Sequence, residues 1–245
     1  MANETEIDWV TVPAGVLLRG TPAAQLDAVA QAYADTGVPR AWFAKELPRT
    51  AVELASFRIS RTPVTVAQWT PFARDTRRPV PRDPADHPVS GVSWHDATAY
   101  AAWLATRTGL AVRLPTEDEW ERAARGDDDR EFPWGNDYRP GLANLVDAGV
   151  GTTTPVGSFP EGASPYGVLD LAGNVDEWTS TPYAPYAGAP PEVPAREDWA
   201  FDTHITRGGC FRHDRDLARC ARRHGAYEAD LRAIGTGVRL ALSTP

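Results

Sequence analysis

Two cysteines, Cys210 and Cys220, are all that the 245 residues hold. That is too few for the disulfide framework of a loop-rich secreted domain, so the cytoplasm is the expected compartment. No stretch approaches the roughly eighteen consecutive apolar residues of a membrane span. The start, Met1-Ala2-Asn3-Glu4-Thr5-Glu6, is acidic with no apolar run behind it, so neither a signal peptide nor a membrane partner is expected. Positive charge is scarce and almost all arginine, Lys45 being the only lysine. With a net charge of -8 and a pI near 5.2, the surface repels phosphate backbones, which argues against a nucleic-acid partner.

What the chain does have is a core: 42% of its residues are hydrophobic and nine are tryptophan. Residues 8–20 mix β-formers and turn residues as a short strand and hairpin would, and 24–34 place Leu26, Val29, Ala30 and Tyr33 at helical spacing before Gly37-Val38-Pro39. Val52 to Ser60 alternates with period two and leads through Thr62-Pro63-Val64-Thr65 into helical spacing over 66–73.

Two helices carry their own start signals. Ser93 followed by Asp96, and Thr116 followed by Glu119, are N-cap pairs, and Gly109 and Gly126 stand where each helix should stop. Helices are predicted near 93–109 and 116–126, the second turning Trp120, Ala123 and Ala124 inward. Beyond Gly126 glycine, proline, asparagine and aspartate dominate, and the proline-rich stretch 181–194 reads as an exposed loop. A single α+β domain with much irregular structure is expected.

Several blocks resemble a known family: His87-Pro88-Val89-Ser90-Gly91-Val92-Ser93-Trp94, Arg113-Leu114-Pro115-Thr116-Glu117-Asp118-Glu119-Trp120-Glu121, Phe132-Pro133-Trp134-Gly135-Asn136, Tyr166 to Thr179, Thr206-Arg207-Gly208-Gly209 and Gly237-Val238-Arg239-Leu240. They run in the order found in the formylglycine-generating-enzyme (sulfatase-modifying-factor) family, from about residue 8 to 242. The resemblance implies a variant of the C-type-lectin fold, low in regular secondary structure and steadied by calcium. It implies one calcium site at Asp170, Gly173, Val175 and Glu177 and a second around Asn144, Leu145 and Asp147. Oxygen-rich turns suit that hard cation, which takes six to eight oxygens.

The family's catalytic residues do not carry over. Where the true enzyme has a serine and then two copper-binding cysteines after the Gly-Gly pair, this chain has Cys210, His213 and Ala218. Soft thiolates suit copper(I), and histidine and alanine do not replace them, so formylglycine synthesis is not expected. Synthesis with Cys210 as the redox thiol would need that cysteine to shift three residues along a tight turn. Asp176 also departs from the family, which places an aromatic residue there; we expect it to line a ligand groove.

Residues 210–224 nevertheless hold Cys210, His213, Asp214, Cys220 and His224, all types that bind transition metals. Cys210, His213 and His224 are a candidate site for copper or iron, with Cys210 and His213 the candidate catalytic pair. Arg212, Arg215 and Arg222 are candidate anion donors lining the groove, whereas Arg219, Arg223 and Arg239 match positions where the family keeps structural arginines. His87, His95 and His204 show no positioned partner in the sequence. Two functions follow. One is a calcium-stabilised accessory protein that binds a small molecule, peptide or protein through loops on a rigid scaffold. The other is an iron- or copper-dependent oxidoreductase acting on a small molecule or amino-acid-derived metabolite. Family members of that second kind, the sulfoxide synthases, carry an extra metal-binding domain.

Overall fold

A computed structural model describes residues 6–194 and 202–243; residues 1–5, which hold most of the acidic start, lie outside them. Three sheets and five α-helices make up the described regular structure. The first sheet runs β1 (Trp9–Val12), β4 (Phe57–Ser60), β10 (Ala241–Ser243), β5 (Val112–Arg113), all antiparallel, so both ends of the chain meet in it. The second pairs β2 (Gly15–Arg19) with β3 (Thr50–Leu54). The third, in the order β8 (Ala226–Glu228), β7 (Thr203–Arg207), β6 (Asp176–Pro182), β9 (Thr236–Val238), has one parallel pair, β6 with β9.

Two expectations are corrected here. Residues 8–20 form two strands that do not pair with each other: β1 crosses to β4 and β2 to β3. The alternating run 52–60 is likewise broken at Ala55-Ser56 into strands of two different sheets. Alternation reports which face is buried, and it cannot say which partner buries it.

The helices are α1 (Leu26–Ala32), α2 (Arg40–Ala44), α3 (Val66–Asp75), α4 (Trp94–Thr108) and α5 (Glu117–Arg125). The last three start with reciprocal capping boxes, Thr65 with Gln68, Ser93 with Asp96 and Thr116 with Glu119. Each satisfies two amides that the first turn otherwise leaves unbonded. Gly109 and Gly126 end α4 and α5 with positive φ, as the stop signals predict. Trp69, Phe72, Tyr100 and Leu104 of α3 and α4 pack with Val112, Trp178, Leu240 and Leu242 in one cluster. Trp120, Ala123 and Ala124 of α5 pack on Val10, Val12, Phe57 and Ile59 in another.

Helix α5 is buried nearly all round, although five of its buried residues carry charge: Glu117, Glu119, Glu121, Arg122 and Arg125. Glu117 meets Arg223 at 2.7 Å and Arg207 at 3.5 Å, and Glu121 meets Arg207 at 2.5 Å and Arg125 at 3.3 Å. The network ties α5 to β7 and to the segment 219–223. The proline-rich stretch 181–194 is also less exposed than its composition suggests, because Tyr183, Tyr186 and Val193 are buried. No helix among the described residues is long and apolar enough to cross a membrane.

Candidate metal centre

Strand β7 ends at Arg207, and the chain turns sharply through Gly208 and Gly209, with φ of 94° and 70°. Both glycines are required by space as well as by φ. A Cβ on Gly208 would lie 3.0 Å from the Leu171 carbonyl oxygen, and one on Gly209 would lie 2.7 Å from Leu217 Cβ. The turn folds 210–213 back over the start of β6, where the Gly209 amide donates to Asp176 Oδ1 at 3.3 Å. After the 3₁₀ turn Arg215–Ala218 the chain returns along β7, and the His224 amide donates to the Thr206 carbonyl.

Three side chains from these three places converge. One ligand atom each of Asp176, His213 and His224 lies within 4.8 Å of the others, Asp176 being buried and the two imidazoles half-buried. His224 Nδ1 and Asp176 Oδ2 share a hydrogen bond of 2.5 Å, and the Tyr227 hydroxyl lies 3.3 Å from His224 Nε2. The Cys210 amide donates to His213 Nδ1 at 3.0 Å, and the rings of His213 and His224 meet edge to face at 4.6 Å.

Burial works to raise the Asp176 carboxyl, but the neighbouring His224 and His213 outweigh it and hold the group below the usual carboxylate range. Burial takes His213 down to about 4, so its imidazole is neutral at physiological pH and has a lone pair to offer. Burial pushes Cys210 up to about 11, which keeps it a thiol. Its Sγ is 4.0 Å from His213 Nε2 and sits under Gly235, where a Cβ would approach it to 2.5 Å.

Of the expected copper or iron set, Cys210, His213 and His224, the structure groups the two histidines with Asp176, and Cys210 Sγ lies 4.0 Å from His213 Nε2. Asp176, expected to line a groove, faces both histidines, while Cys210 packs behind them. Cys220 is fully buried in the α5 cluster, and Asp214 is exposed. Among the candidate anion donors, Arg222 is buried against Asp216 at 3.1 Å, and Arg215 pairs with Asp35 at 2.7 Å. Of the three candidate anion donors only Arg212 is exposed. Arg219, Arg223 and Arg239 make the buried pairs foreseen for them, with Glu46, Glu117 and Glu177. His87 bonds Thr153 at 2.9 Å, His95 is exposed, and His204 stacks on Trp94 at 3.8 Å between ring centroids.

Residues 2–244 match the family described as sulfatase-modifying factor enzyme 1-like domain. The chain belongs to that family. It is similar to hercynine oxygenase of Mycolicibacterium smegmatis, 33% identical over 243 residues, a match covering 80% of this chain and 55% of the relative. It is also similar to the formylglycine-generating enzyme of Mycobacterium tuberculosis, 42% identical over 129 residues, covering 47% of this chain and 40% of that enzyme. The chain thus spans about half the length of the curated hercynine oxygenase it matches. Among solved structures, PvdO from Pseudomonas aeruginosa superposes with a TM-score of 0.77 at 27% identity, over 96% of this chain and 94% of that one.

The two segments where the resemblance implies calcium lie side by side. The Asn174 amide donates to the Asn144 carbonyl at 2.8 Å, and Gly173, at φ 74°, passes so close that a Cβ would lie 2.3 Å from that oxygen. Asn144 is buried, and its Oδ1 has no hydrogen-bond partner among the described residues. Asp170 accepts the Gly157 amide at 2.7 Å, and burial raises its carboxyl. Both fit a hard cation. Glu177 fits less well, since Arg239 takes both of its oxygens at 2.7 Å and Trp120 Nε1 one of them at 2.6 Å. Asp147 is exposed and accepts the Tyr138 hydroxyl, with no contact to Asn144 among the described residues.

Proposed function

We propose that the chain is a metal-dependent oxidoreductase of the sulfatase-modifying-factor family whose metal is held by Asp176, His213 and His224. The convergence of two histidines and one carboxylate carries this reading. Such a set, with positions left open, suits non-haem iron(II), whereas copper(I) prefers the thiolates that this chain lacks at the family's two cysteine positions. The similarity to hercynine oxygenase supports oxidative chemistry on a small, amino-acid-derived molecule.

Donors bound to one ion at about 2.1 Å stand roughly 3 Å apart, so the three atoms must draw together from their present spacing. Rotations of the half-buried imidazoles supply that movement, with metal replacing hydrogen bonds now made within the set. Iron held this way supplies one-electron chemistry and open positions for oxygen and substrate. The chain's own groups do the rest. Before metal enters, the Asp176 hydrogen bond holds His224 in place; the Tyr227 hydroxyl is placed to pass a proton to or from His224 Nε2, and the buried Cys210 thiol lies beside His213.

Calcium at Asp170, Gly173 and Val175, and at Asn144 and Leu145, is proposed as structural support, with Glu177 held by Arg239 instead. The partnerless Asn144 Oδ1 favours it. If calcium is the only metal bound, the protein is an accessory that binds a small molecule, peptide or protein and performs no oxidation.

The test is anaerobic loading with iron(II), removal of free metal, and elemental analysis of wild type and of Asp176→Asn, His213→Ala and His224→Ala. About one iron per chain, lost in each variant, is the expected result. Iron that survives all three substitutions rules the assignment out.

A further inference from the structure

Lys45 follows the short helix α2 and is half-buried. Its ammonium lies 5.6 Å from the ring centre of Trp42 and 5.9 Å from that of Tyr183. The carboxylates around it are already engaged. Glu46 binds Arg219 and the Thr21 hydroxyl, Glu117 binds Arg223, and Asp216 binds Arg222. Lys45 has no carboxylate partner among the described residues, and the charges acting on it are those of Arg222 and Arg223. Both guanidiniums reach its immediate surroundings, Arg223 donating to the Lys45 carbonyl and Arg222 to the Trp42 carbonyl, each at 3.2 Å.

A cation kept half out of water beside two more cations has unspent attraction for an anion. Beside it Trp42 is 47% exposed and offers an open aromatic face. We propose that Lys45, Trp42 and Tyr183 form a binding site for a small organic oxyanion, Lys45 taking the charged group and Trp42 packing on a flat apolar body attached to it. The site uses none of Asp176, His213 and His224 and does not depend on the metal reading, although Arg222 and Arg223 adjoin His224 in the chain.

The electrostatics agree. Burial and the two arginines lower Lys45 to about 8, and a bound anion would move it back up. Because Lys45 is the only lysine, protein labelled with ¹³C at lysine Cε gives one lysine signal to follow by NMR. Benzoate, acetate and inorganic phosphate are the probes. Benzoate is expected to shift the signal saturably, to raise the Lys45 pKa above about 8, and to bind about fivefold more tightly than acetate or phosphate through the aromatic face. Trp42→Ala should bring benzoate down to the level of acetate, and His213→Ala should leave benzoate binding unchanged. The absence of any saturable shift, equal affinity for all three anions, or loss of binding in His213→Ala would overturn the proposal.

Discussion

Glu117 shows what single residues contribute to this protein. It is buried between Arg223 and Arg207, and although burial works to raise its carboxyl, the two guanidiniums outweigh that and hold it below the usual value. A depressed folded pKa means stability that is present above the unfolded value of about 4.3 and is lost as pH falls through the lower folded value. Glu117→Gln, which strands two buried guanidiniums, should cost about 3 kcal/mol in urea unfolding at pH 7. The gap between wild type and variant should narrow as pH drops below about 4. A gap of constant size would mean that the ion pairs are not its source. For the candidate site, Cys210, His213 and His224 were legible because they share one short segment. Asp176 was visible only as an acid where the family has an aromatic, a sign that something had changed but not what it faced.

At the scale of elements, helices α4 and α5 could be placed from sequence because a capping box is a local device. Its two hydrogen bonds join residues three apart, and the stop glycine follows within the same segment. Thr116→Ala should therefore destabilise the protein by about 1 kcal/mol, measured as a lower urea midpoint with unchanged slope. An unaltered midpoint would show that tertiary packing alone holds α5. Strand pairing was not legible, since β1 meets β4, which in turn meets β10 from the far end of the chain, and nothing within residues 8–20 encodes that. Helix α2 escaped notice because five residues, Arg40–Ala44, are too few to show a period. The burial of α5 on all sides was hidden as well, because the pairs that join its buried acids to the rest of the molecule are made with distant arginines, Arg207 with Glu121 and Arg223 with Glu117.

For the molecule as a whole, the family and fold follow from motif blocks spread from end to end, and the matched residues 2–244 agree with them. The proposed calcium adds a prediction at this scale. A ligand bound only by the folded state stabilises it by about 2.7 kcal/mol at a hundred times its dissociation constant. Millimolar calcium should thus raise the melting temperature of metal-stripped protein, and Asp170→Ala should abolish the rise. A melting temperature indifferent to calcium would remove calcium from the account.

The proposed transition metal is held by Asp176, His213 and His224, of which only His213 stands at a position where the resemblance implies a cysteine. The most direct measurement is X-ray diffraction from crystals grown with iron(II) under anaerobic conditions, with data collected on both sides of the iron absorption edge. The account predicts one anomalous peak within bonding distance of Asp176, His213 and His224. Crystals with no such peak there, or with iron bound elsewhere while the three side chains keep their mutual hydrogen bonds, would contradict it.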